Sequence, residues 1–340
     1  MTSEGIAVQT EAPTRVGRRG RRATDVPTLV GRARDGEARA VARLISLVED
    51  ASPALREVAA ALAPHTGSAQ VIGLTGSPGV GKSTTTTALV RALRGRDLRV
   101  GVLAVDPSSP FSGGALLGDR VRMQDHAGDS GVFIRSMASR GHLGGLSWAT
   151  PQALRVLDAA GCDVVLIETV GVGQSELEIA SLADTTLVLV APGMGDGIQA
   201  AKAGILEVAD LFVVNKADRD GADQTVRDLR YMQSLGGRHS EPGHWRPPIV
   251  KTVASRETDN GIDEVLDRIE QHRKWLESSG EGHRRRSERA AAEIEAIAVA
   301  SLRERMGDVH GSAALDTLAG RVVAGESDPY RAADELLAQL

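Results

Sequence analysis

One segment in the first third of the chain places the strongest constraint on its fold. Residues 71–94 read VIGLTGSPGVGKSTTTTALVRALR, where an apolar run passes into a glycine-rich loop and then into a helical pattern. The loop fits the template G-x-x-x-x-G-K-[ST] in the required context of strand, loop and helix. Its N–H groups can surround a β-phosphate, Lys82 can bridge the β- and γ-phosphates, and the Ser83 hydroxyl can bind Mg²⁺. The predicted phosphate loop consists of Gly76, Ser77, Pro78, Gly79, Val80, Gly81, Lys82, Ser83 and Thr84.

Short apolar runs alternate with helical patterns through the middle of the chain. Continuous Val, Leu and Ile runs separated by helices are typical of parallel strands that are covered on both faces. Aromatic residues make up only 2% of the chain, so aliphatic side chains must build the core. We therefore predict an α/β fold, a doubly wound and mostly parallel sheet of the P-loop NTPase, G-domain type. The predicted strands are residues 71–75, 100–105, 132–134, 164–168, 186–190, 211–214 and 248–253.

Helical patterns flank this sheet on both sides. Between Gly36 and about Leu62, apolar residues recur at three- and four-residue spacing around a break at Ser52-Pro53, which predicts two amphipathic helices. After about residue 280, one helical face carries Ile294, Ile297, Ala298 and Leu302, and a further helix follows Pro329. Such an arm folds back on the sheet or packs against a second copy of the chain, and the pattern leaves both open. The expected division is a disordered tail (1–25), an N-terminal helical arm (26–66), the P-loop domain (67–280) and a C-terminal helical arm (281–340).

A second motif, FVVNKAD, follows a later apolar run and identifies the base. The Asp218 carboxylate can accept hydrogen bonds from N1–H and the N2 amino group of guanine, whereas adenine would leave its charge unpaired. Asn215 can hold the neighbouring backbone or N7, and the stem of Lys216 can lie along the ring. The site should therefore prefer guanine nucleotides. The loop after the next strand contains Ser255, Arg256 and Glu257. Their backbone groups could contact the guanine O6, although Arg256 stands where such loops often carry Ala.

The stretch VVLIETVGVGQSE lies between the two motifs and predicts metal and γ-phosphate contacts. Glu168 is placed to hold Mg²⁺ through water, and the Gly171 N–H can donate to the γ-phosphate. Many GTPases orient the attacking water with a Gln directly after that Gly. Here Val172 follows, and Gln174 comes two positions later. Intrinsic hydrolysis should therefore be slow and should need another group to complete the site.

Two further carboxylates and a loop could complete that site. Asp106 follows an apolar strand, so its carboxylate should emerge at the carboxyl edge of the sheet, and Asp119 could approach the same metal. Residues 135–145 are rich in small, polar and glycine residues, as a mobile switch loop should be. His142 in this loop is either catalytic or an ordinary surface histidine, and the second interpretation is favoured.

Composition excludes several classes of partner. A net charge of -5 gives no general attraction to nucleic acid or to an anionic membrane. The basic segment Arg15–Arg22 favours a disordered tail over a nucleic-acid arm. No apolar run approaches the roughly 20 residues of a membrane span, and the N-terminus lacks a signal-peptide core, so a cytoplasmic location is expected. The single cysteine, Cys162, adjoins an apolar run and is expected to be buried and inert.

Taken together, these residues resemble the MeaB/ArgK-type P-loop GTPases that accompany adenosylcobalamin-dependent methylmalonyl-CoA mutase. The resemblance covers nearly everything after about Val26, and it departs in the first 25 or so residues and in SRETDN. The phosphate loop and NKAD identify only a GTPase, whereas the segment from VDPSSPFSGG and the segment FIRSMASRGHLGGL single out this family. The stretches that carry it are GLTGSPGVGKST, VDPSSPFSGGALLGDRVRM, FIRSMASRGHLGGL, IETVGVGQSE, GMGDGIQAAKAGILEVAD, NKAD and DPYRAADELL.

The resemblance implies a GTP-driven chaperone that binds the mutase, gates adenosylcobalamin loading and helps to exclude damaged cofactor. It also implies a homodimer with a C-terminal dimerisation arm at 281–340. On the family's pattern, Lys82 and Ser83 would hold phosphate and Mg²⁺, and Asp218 would read guanine; the residues around the metal would be Asp106, Asp119 and Glu168. Adenosylcobalamin would belong to the mutase, because MQDHAG at 123–128 misses the D-x-H-x-x-G spacing of a cobalt-binding loop.

Two other functions use the same phosphate loop. A kinase would pass the γ-phosphate to a transport protein, but it needs a group to orient the acceptor, and no separate substrate domain is evident. A metallochaperone GTPase would deliver nickel or another metal, but such proteins typically carry His-rich or Cys-containing clusters. The eight His of this chain are scattered, with Cys162 as the single Cys.

Overall fold

The computed structural model describes residues 25–50, 52–106, 126, 128–138, 149–169, 175–193, 207–235, 243–306 and 312–338. Within them, seven parallel strands form one sheet. The strands are β1 (Gln70–Thr75), β2 (Val100–Asp106), β3 (Val132–Ala138), β4 (Val164–Thr169), β5 (Thr185–Val190), β6 (Leu211–Val214) and β7 (Ile249–Lys251). They lie in the order β3-β2-β4-β1-β5-β6-β7, which confirms the predicted doubly wound α/β fold.

Helices precede, connect and follow these strands. Between residues 25 and 65, where the structure describes all but residue 51, three helices come before β1, and a short 3₁₀ helix (Ala63–His65) leads into that strand. The helices are α1 (Val26–Arg34), α2 (Ala38–Glu49), α3 (Leu55–Leu62), α4 (Lys82–Gly95), α5 (Thr150–Ala159), α6 (Ser175–Leu182), α7 (Ala222–Leu235), α8 (Ile262–Ser279), α9 (Glu281–Met306), α10 (Ala313–Val323) and α11 (Pro329–Leu337).

The sheet is covered on both faces, as its apolar strands require. Every residue of β4 and β5 is buried. One face packs against α4 and α8, with Leu74, Leu166 and Leu187 in that core. The other face packs against α5, α6 and α7, and against the three N-terminal helices. Aliphatic side chains dominate both layers, so the low aromatic content does not prevent a dense core.

The N-terminal helices share a core with the sheet. Leu44 and Ile45 of α2 are fully buried together with Leu103 and Met137 of the sheet. The sequence predicts two helices here, but the structure has three, because α1 precedes the expected pair. Asp25 caps α1 by accepting from the Thr28 N–H, a signal that the sequence analysis did not use.

Strand β3 corrects one prediction. The sequence places Arg135 in a switch loop that runs to residue 145, yet β3 continues through Ala138 in full register with β2. The Arg135 guanidinium pairs with Glu49 of α2 at 2.5 Å, so a charged residue in mid-strand is satisfied by the helix that covers it. Residues 139–145, including His142, lie outside the described residues.

The C-terminal arm is attached to the amino ends of the strands. The Arg285 side chain of α9 pairs with Asp210, just before β6, at 3.1 Å. Arg289 pairs with Asp184, just before β5, at 2.5 Å. Further along α9, Glu293 bonds to Gln152 and Arg155 of α5. The arm is thus anchored at the edge of the sheet opposite the phosphate loop.

Among the described residues, none of the helices combines the length and the apolar character needed to cross a membrane. Cys162 is buried, and burial raises the pKa of its thiol to about 12. The predicted burial of Cys162 is therefore confirmed, and the raised pKa favours an unreactive thiol.

Candidate nucleotide site

The phosphate loop connects the carboxyl end of β1 to α4, and two of its glycines have no room for a side chain. Gly76 has a φ of 139°, and a Cβ there would lie 2.3 Å from the Leu189 carbonyl oxygen. Gly81 has a φ of 98°, and a Cβ there would lie 2.3 Å from Nδ2 of Asn215. The loop therefore holds its curvature only with glycine at both positions. Gly76, Val80 and Lys82 are buried, whereas Pro78, Gly79, Ser83 and Thr84 are exposed.

The Lys82 ammonium lies over the loop. It donates to the Gly76 carbonyl at 2.5 Å and to the Ser77 carbonyl at 3.1 Å, and its side chain is mostly buried. A buried ammonium needs such acceptors. Phosphate oxygens bound in the loop would offer stronger, charged acceptors to the same group.

Glu168 lies next to the start of α4. It is 2% exposed near the end of β4, and its two oxygens accept from the hydroxyls of Ser83 and Thr86, the latter at 3.1 Å. A hydroxyl and a carboxylate side by side are the hard oxygen ligands that Mg²⁺ prefers, so these residues fit the metal that the fold implies. Sequence reasoning missed Thr86, although its position three residues after Ser83 places it on the same face of α4.

Asn215 braces three segments of the site. Its Nδ2 donates to the Val80 carbonyl in the phosphate loop at 2.9 Å, and its Oδ1 accepts from the Ala254 N–H at 3.1 Å and the Thr252 hydroxyl at 3.2 Å. The side chain is 3% exposed. Of the two predicted roles, contact with neighbouring backbone and contact with N7, the structure shows the first.

The next residues of the motif turn toward solvent beside the phosphate loop. Lys216 has a φ of 57°, and its ammonium donates to the Gly79 carbonyl at 2.6 Å. The Ala217 N–H bonds to the Thr252 carbonyl at 3.0 Å, which fixes the turn. Asp218 is exposed at the end of this turn, where its carboxylate is accessible to a ligand.

The loop after β7 carries the remaining predicted base contacts. Ser255, Arg256 and Glu257 are all exposed. The Arg256 N–H already donates to the Val253 carbonyl at 2.9 Å, and its carbonyl accepts from Asn260 Nδ2 at 3.1 Å. Of the three backbone N–H groups predicted to face the guanine O6, that of Arg256 is therefore already engaged within the loop.

Several predicted residues fall outside what the structure describes. Asp119 and Gly171 lie outside the described residues, as do Val172 and Gln174. Asp106 is the last residue of β2 and so ends at the same edge of the sheet as Glu168. Within the described residues, no group of three His, Cys, Asp or Glu side chains could hold a metal ion.

Known proteins resemble this chain over most of its length. A protein of Pyrococcus abyssi is 46% identical over 315 residues, which are 93% of this chain and 97% of that protein. GTPase ArgK of Escherichia coli is 39% identical over 256 residues, 74% of this chain and 77% of the relative. The crystal structure of an LAO/AO transport system kinase superposes with a TM-score of 0.68 at 27% identity, covering 92% of this chain and 96% of that one.

The family model described as "Methylmalonyl Co-A mutase-associated GTPase MeaB" matches residues 41–310, which include the phosphate loop, Glu168, the Asn215 brace and all of α9. Fold, phosphate loop and guanine motif are those of a P-loop GTPase, and the match spans most of the chain. The chain therefore belongs to the MeaB family of methylmalonyl Co-A mutase-associated GTPases.

Proposed function

We propose that this GTPase is a chaperone of an adenosylcobalamin-dependent acyl-CoA mutase, with methylmalonyl-CoA mutase as the client. It gates cofactor loading and protects or reactivates the mutase. The observation that carries the proposal is the family match over residues 41–310, because it extends beyond the motifs common to all GTPases into α9.

The described contacts support a division of labour in GTP hydrolysis. Lys82 would exchange its loop carbonyls for β- and γ-phosphate oxygens. Ser83, Glu168, Asp106 and Asp119 would hold Mg²⁺, with the Ser83 hydroxyl beside the Glu168 carboxylate. When bound, Mg²⁺ would neutralise charge that develops on the phosphate oxygens. The Gly171 N–H donates to the γ-phosphate.

The base is held by residues that the Asn215 brace places beside the phosphate loop. The exposed Asp218 carboxylate pairs with N1–H and N2 of guanine, while the Lys216 stem, fixed by its bond to Gly79, lies along the ring. Backbone groups of Ser255 and Glu257 approach O6. Because Asn215 joins both loops to each other, base and phosphate sites act as one unit.

Hydrolysis by the isolated protein is slow in this proposal, and the mutase stimulates it. The sequence places Val172 where a water-orienting Gln commonly follows the Gly171 equivalent. A group supplied or positioned by the partner then completes the site.

The protein acts as a homodimer through the C-terminal arm. Along α9, Ile294 is 68% exposed, Ile297 52% and Leu302 58%, an apolar row that a second copy would cover. Ile297→Glu should convert the dimer into a monomer in light scattering, whereas the neighbouring Glu295→Gln should not. A monomeric wild-type protein at micromolar concentration would contradict this part of the proposal.

The decisive experiment measures GTP turnover with and without the mutase from the same source. We expect turnover to rise with mutase concentration and to saturate as the complex forms. Lys82→Ala serves as the control, because removal of the ammonium should abolish nucleotide binding and with it the stimulated turnover. Unchanged turnover at saturating mutase, without a detectable complex, would refute the chaperone role.

A kinase function is the second candidate, because a solved LAO/AO transport system kinase shares the fold across 92% of this chain. A kinase would leave phosphate on an acceptor protein. Incubation with γ-labelled GTP and candidate partners separates the two, since label retained on any protein would favour the kinase and label released as phosphate would favour the switch.

A further inference from the structure

Two threonines end neighbouring strands beside the nucleotide site. Thr75 is the last residue of β1 and Thr169 the last of β4. They are 0% and 1% exposed, and neither hydroxyl has a hydrogen-bond partner among the described residues. Most buried side-chain hydroxyls in folded proteins are paired, so two unpaired hydroxyls at one edge of a sheet call for an explanation.

The sheet brings these two side chains together. Leu74 pairs with Glu168 in the β1–β4 register, and one more residue along both strands sets Thr75 beside Thr169. Neighbouring strands lie about 4.8 Å apart, which is close enough for the two hydroxyls to form a hydrogen bond directly or through one bridging water. Glu168 faces α4, so Thr169 points to the opposite face. Thr75 points the same way as Gly73, whose Cβ position faces Ile179 of α6.

Each threonine adjoins a residue with a hydrogen bond for which a bound nucleotide and Mg²⁺ would compete. The Gly76 carbonyl, next to Thr75, now accepts from Lys82, and the Glu168 carboxylate, next to Thr169, now accepts from Ser83. Nucleotide phosphates and Mg²⁺ compete for both of these donors. Loss of both bonds would leave the ends of β1 and β4, which carry the two hydroxyls, free to adjust.

We propose that Thr75 and Thr169 are positioning residues that form a hydroxyl pair in the GTP-bound state, bonded directly or through one water. The pair joins the strand that leads into the phosphate loop to the strand that carries Glu168. The unpaired hydroxyls destabilise the nucleotide-free state. Their pairing in the GTP-bound state therefore raises the affinity for GTP. This role goes beyond the proposed mutase function and does not depend on it.

The test compares removal of each hydroxyl with its retention. Thr75→Val and Thr169→Val keep the side-chain shape and lose the hydroxyl, whereas Thr75→Ser and Thr169→Ser keep the hydroxyl. Thr150→Val is the matched control, because Thr150 at the start of α5 is also fully buried with an unpaired hydroxyl but lies on neither strand. The probes are a non-hydrolysable GTP analogue with Mg²⁺, single-turnover GTP hydrolysis, and the denaturation midpoint without nucleotide.

We expect each Val variant at 75 or 169 to keep or raise the nucleotide-free midpoint while its affinity for the analogue falls roughly tenfold. The Ser variants should restore affinity and hydrolysis rate. The double Val variant should bind no more weakly than either single variant, because both lose the same bond. Thr150→Val should raise the midpoint and leave affinity unchanged.

Three results would overturn the proposal. Val variants that bind the analogue and hydrolyse GTP like the wild type would show that the hydroxyls have no role in either step. Val variants whose nucleotide-free midpoint falls would assign the hydroxyls a structural role, and losses that add fully in the double variant would show that they do not act as a pair.

Discussion

Asn215→Ala tests whether the phosphate and base loops depend on one shared side chain. The substitution removes a donor to the Val80 carbonyl and an acceptor for the Ala254 N–H and the Thr252 hydroxyl, all in a site where Asn215 is 3% exposed. A buried group left unpaired costs about 1–3 kcal/mol. Since water can enter part of the space left by the amide, we expect the free energy of unfolding to fall by about 2–5 kcal/mol.

Nucleotide affinity should fall as well, although Asn215 contacts only protein. Without the Asn215 amide, GDP binding must also order the two loops. If this ordering costs about 1.4 kcal/mol, roughly the energy of one hydrogen bond, the dissociation constant for GDP rises about tenfold. Denaturant unfolding gives the first quantity, and calorimetric titration with GDP gives the second. Gln152→Ala is the matched control, because Gln152 is also a buried amide but bonds to Glu293 of α9 and does not reach the phosphate loop.

The control should lose stability without a comparable loss of GDP affinity. Wild-type GDP affinity in Asn215→Ala would refute the idea that the brace sets the site. A large loss of affinity with unchanged stability would also refute it, because Asn215 would then act on the nucleotide directly.

Three further predictions concern single side chains. Asp218→Asn should shift preference from guanine toward xanthine nucleotides with little change in stability, because the carboxylate is exposed; unchanged GTP affinity in a competition assay would overturn the guanine assignment. Burial lowers the pKa of His272 from its ordinary 6.5, so near pH 6 the unfolded chain binds more protons than the folded one. The free energy of unfolding should therefore fall on acidification, by at most about 1.4 kcal/mol per pH unit. His272→Asn should flatten that dependence between pH 7 and 5, and an equally steep curve would locate the titrating group elsewhere. Cys162, whose burial raises its pKa to about 12, should react with iodoacetamide at neutral pH only after unfolding, and rapid labelling of the folded protein would contradict its burial.

The acidic environment of His272 makes the pH prediction specific. Its Nδ1 lies 2.9 Å from the Thr185 hydroxyl, and its Nε2 lies 3.3 Å from Asp210 without the alignment of a hydrogen bond. Asp210 favours the charged imidazole, but Arg285, which already pairs with that carboxylate, opposes it. Desolvation is the largest contribution, so the neutral ring dominates and the sign of the pKa shift is downward.

The sequence predicts the parts of this protein that depend on local patterns. The strand before Gly76 and the strand before Asn215 are apolar runs that end in polar motifs, and such runs place those motifs at one edge of a parallel sheet. Strand β3 shows where local patterns fail, because Arg135 and Ser136 suggest a loop until pairing with β2 and the Glu49 carboxylate are known. The Asn215 brace is also tertiary, since its partners Val80 and Ala254 are far away along the chain.

Helix α8 connects the predicted base-reading loop to the C-terminal arm. It begins at Ile262, directly after that loop, and ends at Ser279, two residues before α9 begins, so its 18 residues span about 27 Å. The arm thus starts at the end of α8 that lies away from the predicted base-reading loop. A protein that binds only the arm would touch neither the phosphate loop nor Asp218, and any coupling would run through α8 together with the ion pairs of Arg285 and Arg289 at the amino ends of the strands.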